Sequence, residues 1–101
     1  MRELKRRRVS EEIKSGNSVQ DLWNQFLNDL RNDSSYEELD VAKYFKVFAR
    51  KDSRCIITMK VISALGLWKV VFQDVDGQTK IFLVGDKDQY DEMVDYWFNR
   101  F

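Results

Sequence analysis

An Asp76-Gly77 pair between two runs of β-forming residues is the feature that most restricts how this chain folds. Both central residues of a type I′ turn need a positive φ, which these two residue types tolerate, so the pair predicts a tight hairpin of residues 67–75 and 79–85. In that register apolar side chains oppose each other on both sides of the hairpin: Phe72 and Ile81, Val70 and Leu83, Val71 and Phe82. The hairpin is therefore either covered on both sides or exposes a hydrophobic patch.

A second hairpin is predicted upstream, over residues 42–50 and 54–63, with its turn at residues 51–53 and Arg50 opposite Arg54. Because side chains alternate across a strand, this register separates a core face from an exposed face. The core face consists of Phe45, Val47, Ala49, Cys55, Ile57, Met59 and Val61. The exposed face interleaves basic and aromatic residues, which protein interfaces favour. We predict that six of its residues contact a partner: Tyr44, Lys46, Phe48, Arg50, Arg54 and Lys60.

The chain ahead of these strands predicts helical structure. Ser18 and Asp21 form a capping box before a helix of about three turns. The apolar residues of this helix recur at i, i+3, i+4 and i+7: Val19, Leu22, Trp23, Phe26, Leu27 and Leu30. A second capping box, Ser35 with Glu38, predicts a short helix over residues 36–40.

The chain closes on another amphipathic helix, capped by Asp86 or Asp88, whose apolar stripe runs to the last residue. The predicted fold class is α+β, a four-stranded antiparallel β-meander flanked by an N-terminal and a C-terminal amphipathic helix that pack on one face. Residues 1–17 are predicted to be a basic N-terminal arm, partly helical, and residues 18–101 a single α+β domain.

Composition excludes most catalytic chemistry. Histidine is absent and Cys55 is the only cysteine, which leaves neither the commonest general base nor a thiol with a base to activate it. We therefore expect no enzymatic activity, no cofactor and no metal site. No apolar run reaches the length of a membrane span, and a lone cysteine fits a reducing compartment, so we expect a cytoplasmic protein with no membrane association.

The charges are balanced in number and uneven in position, since residues 43–60 are basic and residues 74–95 acidic while the net charge is zero. This pattern, without any catalytic motif, favours a small non-enzymatic binding protein that acts by stoichiometric protein–protein contact. Inhibitors from phages and mobile elements include small proteins of this kind, and the chain is like anti-CRISPR proteins in size and style only.

A nucleic-acid-binding module is the alternative, because basic residues neutralise phosphates and aromatic rings stack on unpaired bases. It would use the same basic–aromatic face together with the basic arm: Lys5, Arg6, Arg7 and Arg8. The zero net charge and the acidic C-terminal region disfavour this alternative. Three large aromatic residues near the C-terminus, Trp97, Phe98 and Phe101, form a candidate homodimer seam.

Overall fold

The computed structural model describes residues 18–40 and 42–101, so the predicted basic arm with Lys5, Arg6, Arg7 and Arg8 lies outside the described residues. The two helices are α1 (Val19–Arg31) and α2 (Lys87–Arg100), and the strands are β1 (Tyr36–Asp40), β2 (Phe45–Arg50), β3 (Ile56–Ile62), β4 (Leu67–Gln73) and β5 (Thr79–Val84). A single 3₁₀ turn, Ser63–Leu65, joins β3 to β4.

The strands form one antiparallel sheet in chain order, β1-β2-β3-β4-β5. The predicted α+β architecture, a meander flanked by two helices, is confirmed, with five strands in place of four. In the described part of the chain, neither helix is long and apolar enough to cross a membrane.

Both helices begin where their caps predict. The Ser18 hydroxyl accepts a hydrogen bond from the Asp21 backbone N–H (3.1 Å), and the Asp21 carboxylate accepts one from the Ser18 N–H (3.3 Å), which completes the capping box. In α2 the cap is Asp86, whose carboxylate accepts from the Gln89 N–H at 2.8 Å. These bonds satisfy backbone donors that the first turn of a helix leaves without partners.

The core lies between the sheet and the two helices, which pack on the same sheet face. Phe26 of α1 stacks on Trp68 of β4, with ring centroids 6.0 Å apart, and Tyr96 of α2 lies 5.2 Å from Phe72 of β4. All three tryptophans are buried in this layer: Trp23, Trp68 and Trp97. One face of the sheet is therefore covered by helices.

Residues 36–40, predicted as a short helix, form the edge strand β1 instead. The Trp97 indole N–H donates to the Tyr36 hydroxyl at 3.0 Å inside the core. Arg31, at the end of α1, holds both carboxylate oxygens of Glu38 at 2.8 and 2.9 Å. Five residues are too few to sustain a helix by themselves. Pairing with β2 and these two anchors outweigh the local capping signal.

The Asp76-Gly77 turn is present, but the loop it closes is one residue longer than predicted. The Asp74 N–H donates to the Gln78 carbonyl at 2.9 Å, the Gly77 N–H donates to the Asp74 carbonyl at 3.0 Å, and Gly77 has φ +83°. This is the three-residue hairpin loop in which a left-handed residue closes the turn. The cross-strand pairs are consequently Phe72 with Lys80, Val70 with Phe82, and Val71 with Ile81, and the predicted pairs are wrong by one residue.

The β2–β3 turn departs from prediction in the same way. The Arg50 N–H donates to the Cys55 carbonyl at 3.0 Å, so four residues form the loop and Phe48 lies opposite Ile57. A shift of one residue transfers every side chain of a strand to the other face. The predicted faces therefore hold for β3, where Ile57 and Met59 are buried, and are wrong for β2.

Candidate functional site

Three of the six residues predicted to contact a partner face the helix layer. Phe48 is 1% exposed and Lys46 is buried with it. Arg50 is half-buried, with its guanidinium 5.8 Å from the centroid of the Tyr36 ring and its Nε 3.0 Å from a carboxylate oxygen of Asp52. The prediction that these three form part of an exposed face is wrong, because the four-residue loop turns them toward the core.

The other three predicted residues are exposed but lie apart. Tyr44 precedes β2, with the Lys43 ammonium 5.2 Å from its ring centroid, and Arg54 lies in the β2–β3 loop. Lys60 lies near the end of β3, opposite Phe45 and Lys69. The basic–aromatic face therefore does not exist as a continuous surface among the described residues.

The residues of the candidate homodimer seam lie largely in or against the core. Trp97 has no exposed surface, and its ring lies 4.7 Å from that of Phe98. Phe101 is half-buried, with its ring 5.0 Å from that of Phe72. The core accommodates the three aromatic residues, and Trp97 is not available to a second copy.

The sheet face opposite α1 and α2, called the open face below, is mainly apolar. From strand register and alternation its positions are Glu37, Leu39, Asp40, Phe45, Val47, Ala49, Ile56, Thr58, Lys60, Ile62, Leu67, Lys69, Val71, Gln73, Thr79, Ile81 and Leu83. Four of its large apolar side chains are exposed: Leu39 (56%), Ile81 (55%), Leu83 (46%) and Phe45 (37%).

Two cross-strand rows form the middle of the open face. In one row, Val47, Thr58, Val71 and Ile81 lie side by side across four strands. In the next row the order is Phe45, Lys60, Lys69 and Leu83. Residues directly opposite on neighbouring strands are in side-chain contact, so each row is a continuous ridge. The second ridge has apolar ends and two lysines at its centre.

The two edges of the sheet are built differently. Edge strand β1 is interrupted by an irregularity between Glu38 and Asp40, and its Glu37 is exposed. Bulges and charges are the devices by which proteins prevent an edge from pairing with another chain. Edge strand β5 pairs in continuous register from Thr79 to Val84, and Lys80 is its only charged residue. The open face therefore continues to an accessible edge at β5.

Sequence reasoning missed Phe45 and Val47 as surface residues because the predicted register of the β2–β3 hairpin was displaced by one. One signal did point to the right place. Apolar residues on both sides of the β4–β5 hairpin predicted either a covered hairpin or a hydrophobic patch, and Ile81 and Leu83 form such a patch.

Structural contacts shift the pKa values of Tyr90 and Glu38. Burial, together with the nearby carboxylates of Asp29 and Asp91, raises the pKa of the Tyr90 hydroxyl far above its ordinary value, so this group stays protonated. The hydrogen bonds from Arg31 lower the pKa of Glu38, which stays ionised. Within residues 18–40 and 42–101, no group of three or more His, Cys, Asp or Glu side chains is placed to hold a metal ion.

A cleft of about 190 Å³ lies beside the start of α1, and its lining is mostly apolar: Val19, Gln20, Trp23, Val61, Ser63, Gly66, Leu67 and Trp68. Its polar side chains are the amide of Gln20 and the hydroxyl of Ser63.

Comparison with known proteins gives no match to a family model, to a curated protein or to a solved structure. The geometry of the open face is thus the observation from which a function follows.

Proposed function

We propose that this protein is a small non-enzymatic binding protein that acts by stoichiometric contact with a partner protein, through the open face. The observation that carries the proposal is the unequal treatment of the two sheet faces. One face is covered by α1 and α2, while the other exposes Leu39 and Phe45 toward one edge and Ile81 and Leu83 at the other, connected by the row of Val47, Thr58 and Val71. Contiguous exposed apolar side chains on a small domain are typical of interaction sites.

The make-up of the open face favours a protein partner over nucleic acid. Sheet-based binders of single strands stack bases on several aromatic rings, and each stacked base contributes about 1–3 kcal/mol. On the open face Phe45 is the one aromatic residue, and its neighbours are aliphatic or small: Val47, Ala49, Ile56, Val71, Ile81 and Leu83. Aliphatic side chains bury well against another protein and offer little to a base.

The ionisable groups support a role without catalysis. A general acid or base works best with a pKa near the operating pH. The shifts in Tyr90 and Glu38 move the pKa of each group away from neutrality, so that the tyrosine stays protonated and the glutamate stays ionised. The free, half-buried Cys55 supports a reducing, cytoplasmic setting. An inhibitor that occupies a partner's surface is the form of this function that the small size of the chain supports.

A matched pair of leucine substitutions tests the proposal. Leu83→Glu places a charge on the open face, whereas Leu65→Glu places the same charge on the exposed 3₁₀ turn at the end of the sheet. Proteins retained from a host extract by the wild type are purified and titrated with each variant by calorimetry.

We expect a partner that binds the wild type and Leu65→Glu with one-to-one stoichiometry and binds Leu83→Glu at least roughly tenfold more weakly. Equal binding of all three proteins, or loss on Leu65→Glu alone, would place the contact elsewhere and refute the proposal. Circular dichroism and unfolding curves of both variants establish that a loss of binding is not a loss of fold.

A further inference from the structure

The two lysines at the centre of the open face form a like-charged cross-strand pair. Lys60 of β3 lies directly opposite Lys69 of β4, and both side chains are on the open face. Directly opposite residues have Cβ atoms about 4.5–5.5 Å apart, and like charges at that separation destabilise a sheet. The row continues on either side with Phe45 and Leu83. Two positive charges therefore lie between apolar side chains.

The described residues provide no counterion for this pair. Ion pairs among the side chains of residues 18–39 and 42–101 include Arg31 with Glu38, Arg50 with Asp52 and Lys87 with Asp91, and none of these three lies on the open face. Among the acidic residues on the open face, Glu37 is the one whose side chain the structure describes. It lies on the edge strand β1. From strand spacing and rise, its Cα is about 16 Å from that of Lys60, well beyond an ion pair.

Resting on the proposed function, we infer that the partner presents a segment in which an Asp or Glu side chain is flanked by apolar side chains. The carboxylate lies between Lys60 and Lys69 and accepts hydrogen bonds from both ammonium groups. The flanking apolar side chains cover Val71 and Ile81 in the adjacent row and Leu83 at the end of the lysine row. Charge-assisted hydrogen bonds to a carboxylate are strong where neighbouring apolar contacts exclude water.

A second copy of this chain fits the open face poorly. Two open faces packed together would bring four lysines into the same interface, and like-charge contacts of that kind cost several kcal/mol. From strand spacing and length, the five-stranded face has a footprint of about 450 Å². A footprint of this size accommodates one helix, hairpin or extended segment of a partner.

The matched variants reverse or remove the charge of the lysine pair. Lys60→Glu with Lys69→Glu changes its sign, and Lys60→Met with Lys69→Met removes the charge while keeping an unbranched apolar stem. Lys51→Glu, in the exposed β2–β3 loop, is the control for a change of net charge. The probe is a library of random 16-residue peptides displayed on phage and selected on the immobilised full chain.

We expect peptides selected on the wild type to carry Asp or Glu among apolar residues. Such peptides should bind the Lys51→Glu control unchanged and bind the double Glu variant roughly 10- to 100-fold more weakly. Replacing the acidic residue of the peptide by Lys should restore binding to the double Glu variant. The double Met variant should bind acidic peptides and their Gln counterparts equally, and it provides the test if the double Glu variant does not fold.

Three outcomes would overturn the inference, and they separate its failure from that of the proposed function. Selected peptides that lack acidic residues, or acidic peptides whose binding is unchanged by the lysine substitutions, would refute the acidic partner segment. If these peptides still lose binding to Leu83→Glu, the open face remains the docking surface. No enrichment over a parallel selection on Leu83→Glu refutes both proposals. Single-stranded RNA or DNA oligonucleotides that bind the wild type and lose binding in the double Glu variant would assign the lysines to phosphate instead.

Discussion

Replacing two phenylalanines in the same strand by alanine provides the sharpest test of the sheet register. Phe45 and Phe48 both belong to β2, yet the register places them on opposite faces. Phe48 is 1% exposed beneath the helices, whereas Phe45 is 37% exposed on the open face. A register displaced by one residue would exchange these environments, so the two variants separate the observed hairpin from the one with its turn at residues 51–53.

The magnitudes follow from burial. Removing a fully buried phenylalanine ring costs about 3–5 kcal/mol, because transfer of the ring and the remaining cavity both contribute. Removing the Phe45 ring opens no enclosed cavity, and the lost burial of a partly exposed ring is worth about 1–2 kcal/mol. The difference of about 2 kcal/mol corresponds to roughly a 30-fold change in the unfolding equilibrium constant.

Urea titration followed by tryptophan fluorescence measures both values, since Trp23, Trp68 and Trp97 are all buried in the core. A domain of this size is stabilised by roughly 5–15 kcal/mol. If the total is near the lower limit, part of the Phe48→Ala protein is unfolded before urea is added, and the native baseline of its titration is incomplete. Phe48→Leu provides a second, milder variant that keeps most of the core volume. It should still lower the midpoint more than Phe45→Leu does.

One result would refute the reasoning. If Phe45→Ala destabilises the protein as much as Phe48→Ala or more, β2 buries its other face. The open face would then carry Phe48, Lys46 and Arg50, as the shorter turn predicts. The slope of the free energy of unfolding against urea concentration should be equal in the two variants. Equal slopes establish that the variants differ in stability and not in the compactness of the unfolded state.

Three further predictions concern single contacts. Tyr36→Phe removes the acceptor of the buried Trp97 indole N–H and should cost about 1–3 kcal/mol in the urea assay. Gly77→Ala should cost about 1 kcal/mol of stability, because the backbone at φ +83° is strained for alanine. The added Cβ itself meets no atom within 4 Å, so the cost comes from the backbone alone. Gly77→Asn should recover part of this loss. Glu38→Gln should cost under about 1 kcal/mol near neutral pH. Arg31 holds the pKa of Glu38 below its ordinary value of 4.5, so the pair stabilises the native state above that pH and the stabilisation is lost as the pH falls through the folded-state pKa. Thermal unfolding across acidic pH should therefore show a shallower decline for Glu38→Gln than for the wild type.

Each of these predictions has a contrary result. An unchanged urea midpoint for Tyr36→Phe would mean that the Trp97 N–H finds another acceptor or that the hydrogen bond is not formed. A Gly77→Ala variant as stable as the wild type would contradict the left-handed closing residue of the β4–β5 loop. Parallel acid profiles for Glu38→Gln and the wild type would show that Arg31 does not stabilise the ionised carboxylate.

Features encoded within a few residues were predictable from the sequence. The capping box of Ser18 and Asp21 defines the start of α1 from side chains three positions apart, and Asp86 does the same for α2. Helical spacing of apolar residues identified the buried side of both helices, including Trp23 and Trp97. The α+β meander followed from the order of these local elements.

Features that depend on a single residue of register were not predictable. A hairpin loop of three residues and one of two are both compatible with Asp76-Gly77, and the choice changes every cross-strand pair. Likewise, Ser35 and Glu38 resemble a helix cap when they are considered alone. The strand is instead fixed by the hydrogen bonds of Tyr36 with Trp97 and of Glu38 with Arg31, which form only when both helices are in place. The candidate site was missed at Phe45 because the predicted β2–β3 register was displaced by one.

Outside Tyr36–Asp40, the sequence by itself determined which segments become helix and which become strand, because caps, turns and apolar periodicity act over a few residues. Only the tertiary structure decided which side of each strand meets the helices, and therefore that Phe48 is core while Phe45 is surface. The physical reason is that side chains alternate with a period of two, so a strand has two faces of similar local energy. The choice between them is made by the helices that bury one face.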